Sequence, residues 1–351
     1  MTHLDDRRPV GLFCGLAVVD VIQLVADPPG PDDKVTALDQ VVAAGGPATN
    51  AAVTFAALGG RAVLAVPVGR GPLAALVRED LASCGVELLD CAATDEAEAA
   101  GSAAQTRPAV PAGQTRPAGP AGQTRPAGPA GQARPAGFAG LSVSSCTVWA
   151  RTGQRSVVST NARQAVDPAP LHHLAQEVAA GRAPAPDVVL VDGHNPALAR
   201  TGLDLAEATD AIRLMDAGSW KDAAADLLPR CDVVAASARF YPPGVLPRPE
   251  DVAAWLLGLG VPGVVVTRGG EDALWWQADG MAPQCRGAVR PPEVAVVDTL
   301  GAGDVFHGAL AHALARHQGL PGAVATACDV AAASATTLGP RAWLERVAPQ
   351  A

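Results

Sequence analysis

The 351-residue chain lacks a long apolar run, an excess of basic residues and any CxxC or zinc-ligand spacing among its seven cysteines. Without about 20 successive apolar residues, a membrane-spanning helix is not expected. The formal net charge of −9 argues against nonspecific binding to nucleic acid or to an anionic membrane. Scattered cysteines are typical of reduced thiols, so we expect a cytoplasmic protein. The apolar segment 10–22 is interrupted by Asp20 and is interpreted as a core strand rather than a signal peptide.

Residues 103–138 form a tandem repeat with four successive nine-residue units, AAQTRPAVP, AGQTRPAGP, AGQTRPAGP and AGQARPAGF. Apart from Val110 and Phe138, the units contain no apolar side chain larger than alanine, so they cannot build a core. Proline and glycine also disfavour helices and sheet ladders. We therefore predict a disordered insertion in a surface loop. The alternative is a basic, proline-rich docking segment.

Outside the repeat, short apolar segments alternate with segments of helical periodicity, which predicts an α/β fold with a mainly parallel central sheet and helices on both faces. The predicted strands are 10–19, 62–68, 188–191, 212–215, 233–235, 264–267 and 294–297, with a hairpin formed by 144–150 and 156–159. The predicted helices are 50–58, 73–84, 197–207, 220–228, 250–259, 305–317 and 322–337.

The sequence VDTLGAGD at 297–304 places a glycine-rich turn directly before a predicted helix. Such a turn directs several backbone N–H groups to one point, where the helix dipole favours an anion. A carboxylate beside that point, Asp304, could accept the proton of an attacking hydroxyl while the N–H groups of 301–303 stabilise a phosphoryl group. The alternative is a tight turn in which the aspartate only caps the helix.

A second glycine pair, Gly45-Gly46, precedes a predicted helix, and Asn50 lies four residues after it. By itself this segment could be a turn with Thr49 or Asn50 as the helix cap. Upstream, Asp20 could hold a polyol, because a carboxylate accepts two hydroxyl hydrogen bonds, or it could merely end a strand.

With Phe306, the run DTLGAGDVF resembles the C-terminal signature of the ribokinase-like (PfkB) carbohydrate kinases. The early segment GGPATN, the strand GLAVVD ending at Asp20 and the segment VVVTRGG at 264–270 are similar to further motifs of this family, in the same order. The resemblance covers roughly residues 10–96 and 141–345. In its motifs the chain is most similar to the ketohexokinase and sulfofructose kinase branch, which implies a ketose or modified ketose as acceptor.

The resemblance implies a ribokinase-like three-layer sandwich in a single domain, residues 1–351, with a small β-lid from about 12–45 and 141–160. It implies ATP-dependent phosphorylation of a sugar hydroxyl with Mg²⁺, and in some members K⁺, for which Asp298 is the corresponding position. For Asp298 the alternative is a turn cap. Relatives often pair through the lid, which implies a homodimer; neither a nucleic acid nor a membrane is an expected partner.

Carried over to this sequence, the implied site has three parts. The catalytic part is Asp304 with Gly301, Ala302 and Gly303. The sugar-binding part is Asp20, Gly45, Gly46, Asn50 and Arg155. The nucleotide-binding part is Thr267, Gly269, Gly270, Thr299, Gly301 and Gly303.

One motif departs from the family: Ser237 and Phe240 stand where many relatives have the asparagine and glutamate of an NxxE pair linked to magnesium. With the long insertion, this departure leaves open the alternative of a catalytically weak sugar sensor. Separately, the acceptor could be a nucleoside, a sugar acid or a sugar phosphate. The segment Asp192–Asn195 is expected at a strand end facing the cleft, with no assigned role. The histidines at 172, 173, 307 and 312 lack convincing metal-ligand spacing.

Overall fold

A computed structural model describes residues 7–93, 140–279 and 282–347. The nine-residue repeat at 103–138 lies outside these ranges, so its predicted disorder stays a prediction. None of the helices in the described ranges is long and apolar enough to cross a membrane.

Thirteen strands form two sheets within the described ranges. They are β1 (Val10–Cys14), β2 (Val18–Val25), β3 (Asp39–Gly45), β4 (Arg61–Val66), β5 (Val86–Asp90), β6 (Val143–Trp149), β7 (Arg155–Ser159), β8 (Val188–Val191), β9 (Ile212–Ala217), β10 (Val233–Ser237), β11 (Gly263–Thr267), β12 (Ala273–Asp279) and β13 (Ala282–Val289).

The larger sheet has the order β13-β12-β11-β10-β9-β8-β1-β4-β5. All its pairings from β11 to β5 are parallel, whereas β12 and β13 form an antiparallel edge. The strand β8 is buried along its whole length and consists of valine and leucine. Such continuous apolar strands are typical of a parallel sheet covered on both faces, which confirms the predicted α/β architecture.

Helices cover both faces of this sheet. They are α1 (Pro47–Ala57), α2 (Pro72–Ser83), α3 (Ala169–Ala179), α4 (Pro196–Thr209), α5 (Ala224–Leu227), α6 (Pro249–Gly258), α7 (Ala302–Ala315), α8 (Leu320–Ser334) and α9 (Leu344–Val347), with a 3-10 turn at Leu228–Arg230. One core lies between the sheet and α1, α2, α7 and α8, and a second lies against α3, α4 and α6.

Several helices begin earlier than predicted because proline occupies the first helical position. Helices α1, α2, α4 and α6 start at Pro47, Pro72, Pro196 and Pro249. Proline lacks the N–H group that has no partner in the first turn, and its fixed φ suits the start of a helix. The predicted helix 220–228 is wrong in its extent, since only 224–227 is α-helical and a 3-10 turn follows.

The smaller sheet has four strands in the order β3-β2-β6-β7. Its inner strands β2 and β6 are parallel, and the predicted hairpin is confirmed as the antiparallel pair β6 and β7. Every residue of the edge strand β7 is exposed. This small sheet is formed by 18–25, 39–45, 143–149 and 155–159.

The predicted strand 10–19 is divided between the two sheets, since β1 ends at Cys14 and β2 begins at Val18. The passage between them is held by Asp192, whose Oδ2 accepts the N–H of Leu16 at 2.8 Å and the N–H of Ala48 at 3.3 Å. A Cβ on Gly15 would lie 2.1 Å from this carboxylate, so glycine is required there. Asp192, which follows β8, therefore links the β1–β2 connection to the start of α1. This structural role was not predicted from the sequence.

The predicted strand 294–297 is wrong, because these residues pair with no strand. The central sheet already ends at β13, and Val294 and Val296 are exposed. The segment instead passes beside the small sheet, where a Cβ on Gly153 would lie 2.7 Å from Val296 Cγ1. The glycine-rich turn thus follows an irregular connection that leads from the edge of the large sheet to the small one.

Candidate active site

The turn at 301–303 is built by a glycine in the left-handed region, with φ of 74° at Gly301. Helix α7 begins at Ala302, three residues earlier than predicted, so Gly303 and Asp304 lie in its first turn, where N–H groups have no intrahelical acceptor. The N–H of Ala302 lies 3.3 Å from the carbonyl oxygen of Thr299, a bond that closes the turn and competes with a ligand for this group. The turn can receive an anion at a helix N-terminus.

The carboxylate of Asp304 on α7 contacts Asn50 on the neighbouring helix α1, against which α7 packs closely. Asn50 Nδ2 donates to Asp304 Oδ2 at 2.9 Å. Burial and the nearby charge of Asp216 raise the pKa of Asp304 to about 7, although the hydrogen bond from Asn50 opposes the rise. A carboxylate with a pKa near neutrality is suited to accept a proton.

Asp20, the predicted sugar ligand, is buried on β2 and packs against the glycine pair. A Cβ on Gly45 would lie 1.9 Å from Asp20 Oδ2, so only glycine fits at this position. Burial raises the pKa of Asp20 to about 6, opposed by a hydrogen bond with Ser144 and by the charge of Arg341. The charge of Asp20 contributes to the raised pKa of Asp304, so the two carboxylates belong to one electrostatic site.

The second glycine of the pair, Gly46, allows the closest backbone approach in the site. Its φ is 105°, and a Cβ would lie 2.3 Å from the carbonyl oxygen of Leu16. Gly46 is the cap of α1, so the alternative that Thr49 or Asn50 caps this helix is wrong. Thr49 instead donates to the Leu16 carbonyl at 3.1 Å, which leaves the Asn50 side chain for Asp304.

A buried histidine–aspartate pair lies one helical turn beyond Asp304. Nδ1 of His307 is 3.1 Å from Asp216 Oδ2, and Nε2 is 3.2 Å from the Ala235 carbonyl oxygen. Because a carbonyl can only accept, Nε2 carries a proton. Nδ1 lies within ion-pair distance of Asp216, but its orientation does not form a hydrogen bond with that carboxylate. Burial opposes both charges, yet their attraction raises the pKa of His307 and lowers that of Asp216.

Arg155, on the exposed strand β7, reaches the turn from the small sheet. Its Nη1 donates to Thr299 Oγ1 at 2.7 Å, and Thr299 donates in turn to the Gly153 carbonyl at 3.1 Å. Two residues predicted for different ligands are therefore in direct contact with each other.

Asp298 is buried beneath the same turn. Its Oδ1 accepts the Leu300 N–H at 2.8 Å, and its Oδ2 accepts the Gly339 N–H at 3.0 Å. Burial raises its pKa, opposed by these two backbone bonds. The geometry matches the turn-cap alternative. Among the described residues, no group of three or more His, Cys, Asp or Glu side chains could hold a metal ion.

The predicted nucleotide-binding residues lie in two places: Thr267, Gly269 and Gly270 at the end of β11, and Thr299, Gly301 and Gly303 in the turn before α7 and in its first turn. Thr267 ends β11 in register with Ser237 at the end of β10. A Cβ on Gly269, Gly270 or Gly303 would meet no other atom within 4 Å, so the space above these backbones is open to a ligand. Ser237 donates to the Gly218 carbonyl at 2.6 Å. The residues present therefore fit a nucleotide that lies along glycine backbones.

Phe240, in place of the glutamate of the NxxE pair, points away from solvent. It is buried, and its ring centroid lies 5.8 Å from that of Trp220. Position 240 is therefore part of the hydrophobic core and supplies no carboxylate to a metal.

The model of the pfkB family of carbohydrate kinases matches residues 12–107 and 143–346, which is most of the chain. The chain belongs to this family. The protein is therefore a phosphotransferase whose acceptor is a sugar hydroxyl. The match does not distinguish the ketohexokinase and sulfofructose kinase branch from others.

Solved kinase structures share the fold over nearly the whole chain. A microbiome-derived acarbose kinase is 20% identical with a TM-score of 0.67, and the match covers 98% of this chain and 100% of that one. Ribokinase from Arabidopsis thaliana, solved with ribose and ATP, is 16% identical with a TM-score of 0.62, over 98% and 99%. Phosphofructokinase-2 from Escherichia coli, solved with potassium, is 18% identical with a TM-score of 0.64, over 97% of each chain. No curated protein matches this kinase significantly. The neighbours confirm the ribokinase-like fold.

Two features of the site were not predicted. Arg341, near the C-terminus, contacts Asn50, and Asp216 at the end of β9 influences Asp304. Asp216 directly follows the predicted strand 212–215, and this position at a strand end is the signal that could have indicated it. No local pattern marks Arg341, because its partners are distant in sequence.

Proposed function

We propose that this protein transfers the γ-phosphoryl group of ATP to a sugar hydroxyl, with Asp304 as the general base. The contact between Asp304 and Asn50 at the N-terminus of α7 is the observation that carries the proposal. It joins a proton acceptor of raised pKa, a turn with N–H groups at a helix N-terminus and a polar residue predicted to bind the sugar.

In this mechanism Asp304 accepts the proton of the attacking hydroxyl. The N–H groups at 301–303 stabilise the negative charge that develops on the phosphoryl oxygens, and one such donor contributes about 3 kcal/mol to the transition state. Asp20, Asn50 and the backbone of Gly45-Gly46 hold the sugar. When bound, ATP with Mg²⁺ supplies the phosphoryl group, and Mg²⁺ is typically held largely by phosphate and water.

Thr267, Gly269, Gly270 and Thr299 would hold the nucleotide, and the small sheet would act as a lid that excludes water. The finer expectations belong to this proposal as well. They are a ketose or modified ketose as acceptor, the approach of Arg155 to it, K⁺ near Asp298, a homodimer formed through the small sheet and a cytoplasmic location. The exposure of Val157 and Val158 on β7 favours the pairing surface.

A panel of acceptors tests the proposal. D-fructose, D-ribose, D-gluconate, adenosine and fructose 6-phosphate would each be incubated with MgATP, and ADP formation would be measured by a coupled assay. We expect sugar-dependent ADP formation that requires Asp304. ADP formation with adenosine, gluconate or the sugar phosphate alone would identify another acceptor class.

A sugar sensor is the second candidate, and the buried Phe240 in place of a metal-linked glutamate is the observation that favours it. Calorimetry with the same compounds separates the two. Sugar binding without ADP formation at any Mg²⁺ concentration would indicate the sensor, whereas turnover would eliminate it.

A further inference from the structure

We propose that Arg341 is a positioning residue that fixes the side-chain amide of Asn50 so that its NH₂ group faces the base. The inference rests on the proposed role of Asp304, and it extends the site to the C-terminal segment that follows α8. Arg341 lies outside the motifs of this sequence that resemble those of the family.

The orientation of the Asn50 amide follows from what each partner can do. Arg341 Nη1 lies 3.3 Å from Asn50 Oδ1, while Asn50 Nδ2 lies 2.9 Å from Asp304 Oδ2. A guanidinium only donates, so it must face the amide oxygen, and the amide nitrogen is left for the carboxylate. Without Arg341, the amide oxygen loses its donor and Asp304 alone holds the orientation of the amide. That hold is lost when Asp304 is protonated, since a carboxylic acid can also donate to the amide oxygen.

The other nitrogens of Arg341 hold the strand that leads into the sugar-side glycines. Nη2 donates to the Ala44 carbonyl at 2.8 Å and to Asp80 Oδ2 at 2.8 Å. Asp80 Oδ2 also accepts the N–H of Ala44 at 2.8 Å. Both backbone groups of Ala44, the residue before Gly45, are thus fixed by one arginine–aspartate pair.

The pair is well shielded from water, because the side chains of Arg341 and Asp80 are only 17% and 19% exposed. A charged hydrogen bond in such a setting is stronger than one on the surface. The positive charge of Arg341 also lowers the pKa of Asp20 against the rise caused by burial, and the charges of Asp216, His307 and Asp20 act on Asp304. Arg341 therefore influences the sugar-side carboxylate through its charge and Asn50 through direct contact.

The decisive test is a double-mutant cycle that combines Arg341→Met with Asn50→Ala. The acceptor is the compound of the panel that the wild-type enzyme phosphorylates fastest. If Arg341 acts through Asn50, Arg341→Met lowers kcat by about 10-fold or more in the wild-type background but by less than about 2-fold in the Asn50→Ala background. Equal losses in both backgrounds, or no loss in the wild type, would overturn the inference.

A ¹³C-NMR titration of the Asp304 carboxyl gives a second measurement that needs no turnover. The resonance is assigned by its absence in Asp304→Asn. Arg341→Met should move the titration to higher pH, because the hydrogen bond from Asn50 that opposes protonation is lost. An unmoved titration would refute the positioning role.

Arg213→Met is the matched control, since Arg213 forms a half-buried pair with Asp232. It should lower the melting temperature without moving the titration. Arg341→Lys keeps the charge but cannot form the fork to both Ala44 and Asn50, so it should restore kcat only in part. If the wild-type enzyme phosphorylates none of the compounds, the proposed function is refuted. The NMR titration would still test the role of Arg341, because it does not depend on turnover.

Discussion

Replacing Asp304 with asparagine is expected to stabilise the folded protein while it abolishes turnover. The pKa of this carboxyl rises from its ordinary 3.8 to about 7 in the folded state. A raised pKa means that the folded state binds the proton more tightly than the unfolded state does. The ionised carboxylate therefore destabilises the fold above pH 7, and the penalty disappears as pH falls towards 4.

The magnitude follows from the size of the rise. Because one pKa unit is worth about 1.4 kcal/mol, the rise corresponds to an upper bound of about 4 kcal/mol. Asn50 loses a charged acceptor in the variant but keeps a neutral one, so we expect a gain of about 1 to 3 kcal/mol at pH 8. At pH 4, close to the pKa of the carboxyl in the unfolded state, the penalty falls below about 1 kcal/mol, so most of the gain should be lost there.

Denaturant titrations of both proteins at pH 4 and pH 8 measure this difference. In the kinase assay, turnover of the variant should fall at least about 100-fold, while calorimetry should still detect sugar binding. For the wild type, kcat/KM should decline about tenfold per unit below pH 7, since the base must be ionised. Wild-type turnover in Asp304→Asn, or an equal change in stability at both pH values, would refute the reasoning.

Three further predictions concern packing, the small sheet and the repeat. Gly308→Ala should destabilise the protein by about 1 to 3 kcal/mol, because its Cβ would lie 2.3 Å from the Ala51 carbonyl oxygen; Gly258→Ala, where a Cβ meets nothing within 4 Å, is the control for denaturant melts. Arg155→Ala should raise KM for the sugar more than it lowers kcat, and an unchanged KM in steady-state assays would exclude its substrate contact. Deleting 103–138 should leave activity and melting temperature nearly unchanged, and a large loss in calorimetry would instead indicate a structural role.

The central sheet and its helices could be predicted because each element is marked by a pattern within its own residues. Buried parallel strands such as Val188–Val191 are short apolar runs, and their alternation with helical segments indicates crossovers. The strands that escaped prediction have mixed composition. Strand β3 is half exposed, and the edge strands β12 (ALWWQAD) and β13 (APQCRGAV) show no regular alternation of polar and apolar residues. Such strands depend on partners that no local pattern specifies.

Two errors have a shared cause in chain topology. The segment 10–19 is continuous in hydrophobicity, yet it serves two sheets, because the break at Gly15 depends on the distant Asp192. The segment 294–297 has the composition of a strand but pairs with none of the described strands. Periodicity reports which residues favour burial, whereas tertiary contacts decide which sheet, if any, they join.

For the candidate site, the motifs indicated the residue types that meet but not the bonds between them. Asn50 and Asp304 were assigned to separate sugar and catalytic roles, and the structure joins them directly. The influence of Asp216 and Arg341 on these residues could not be predicted, since it acts through space between elements far apart in sequence.

The hydrogen bonds of Asp192 to the segment between the two sheets restrict how the small sheet can move. With the Leu16 and Ala48 amides bonded to one buried carboxylate, the near end of the small sheet cannot swing without breaking both contacts. Amide deuteration should therefore be slow at 16 and 48 and fast around the β6–β7 turn. Any movement of the small sheet would then be largest at the β6–β7 turn and smallest near Leu16.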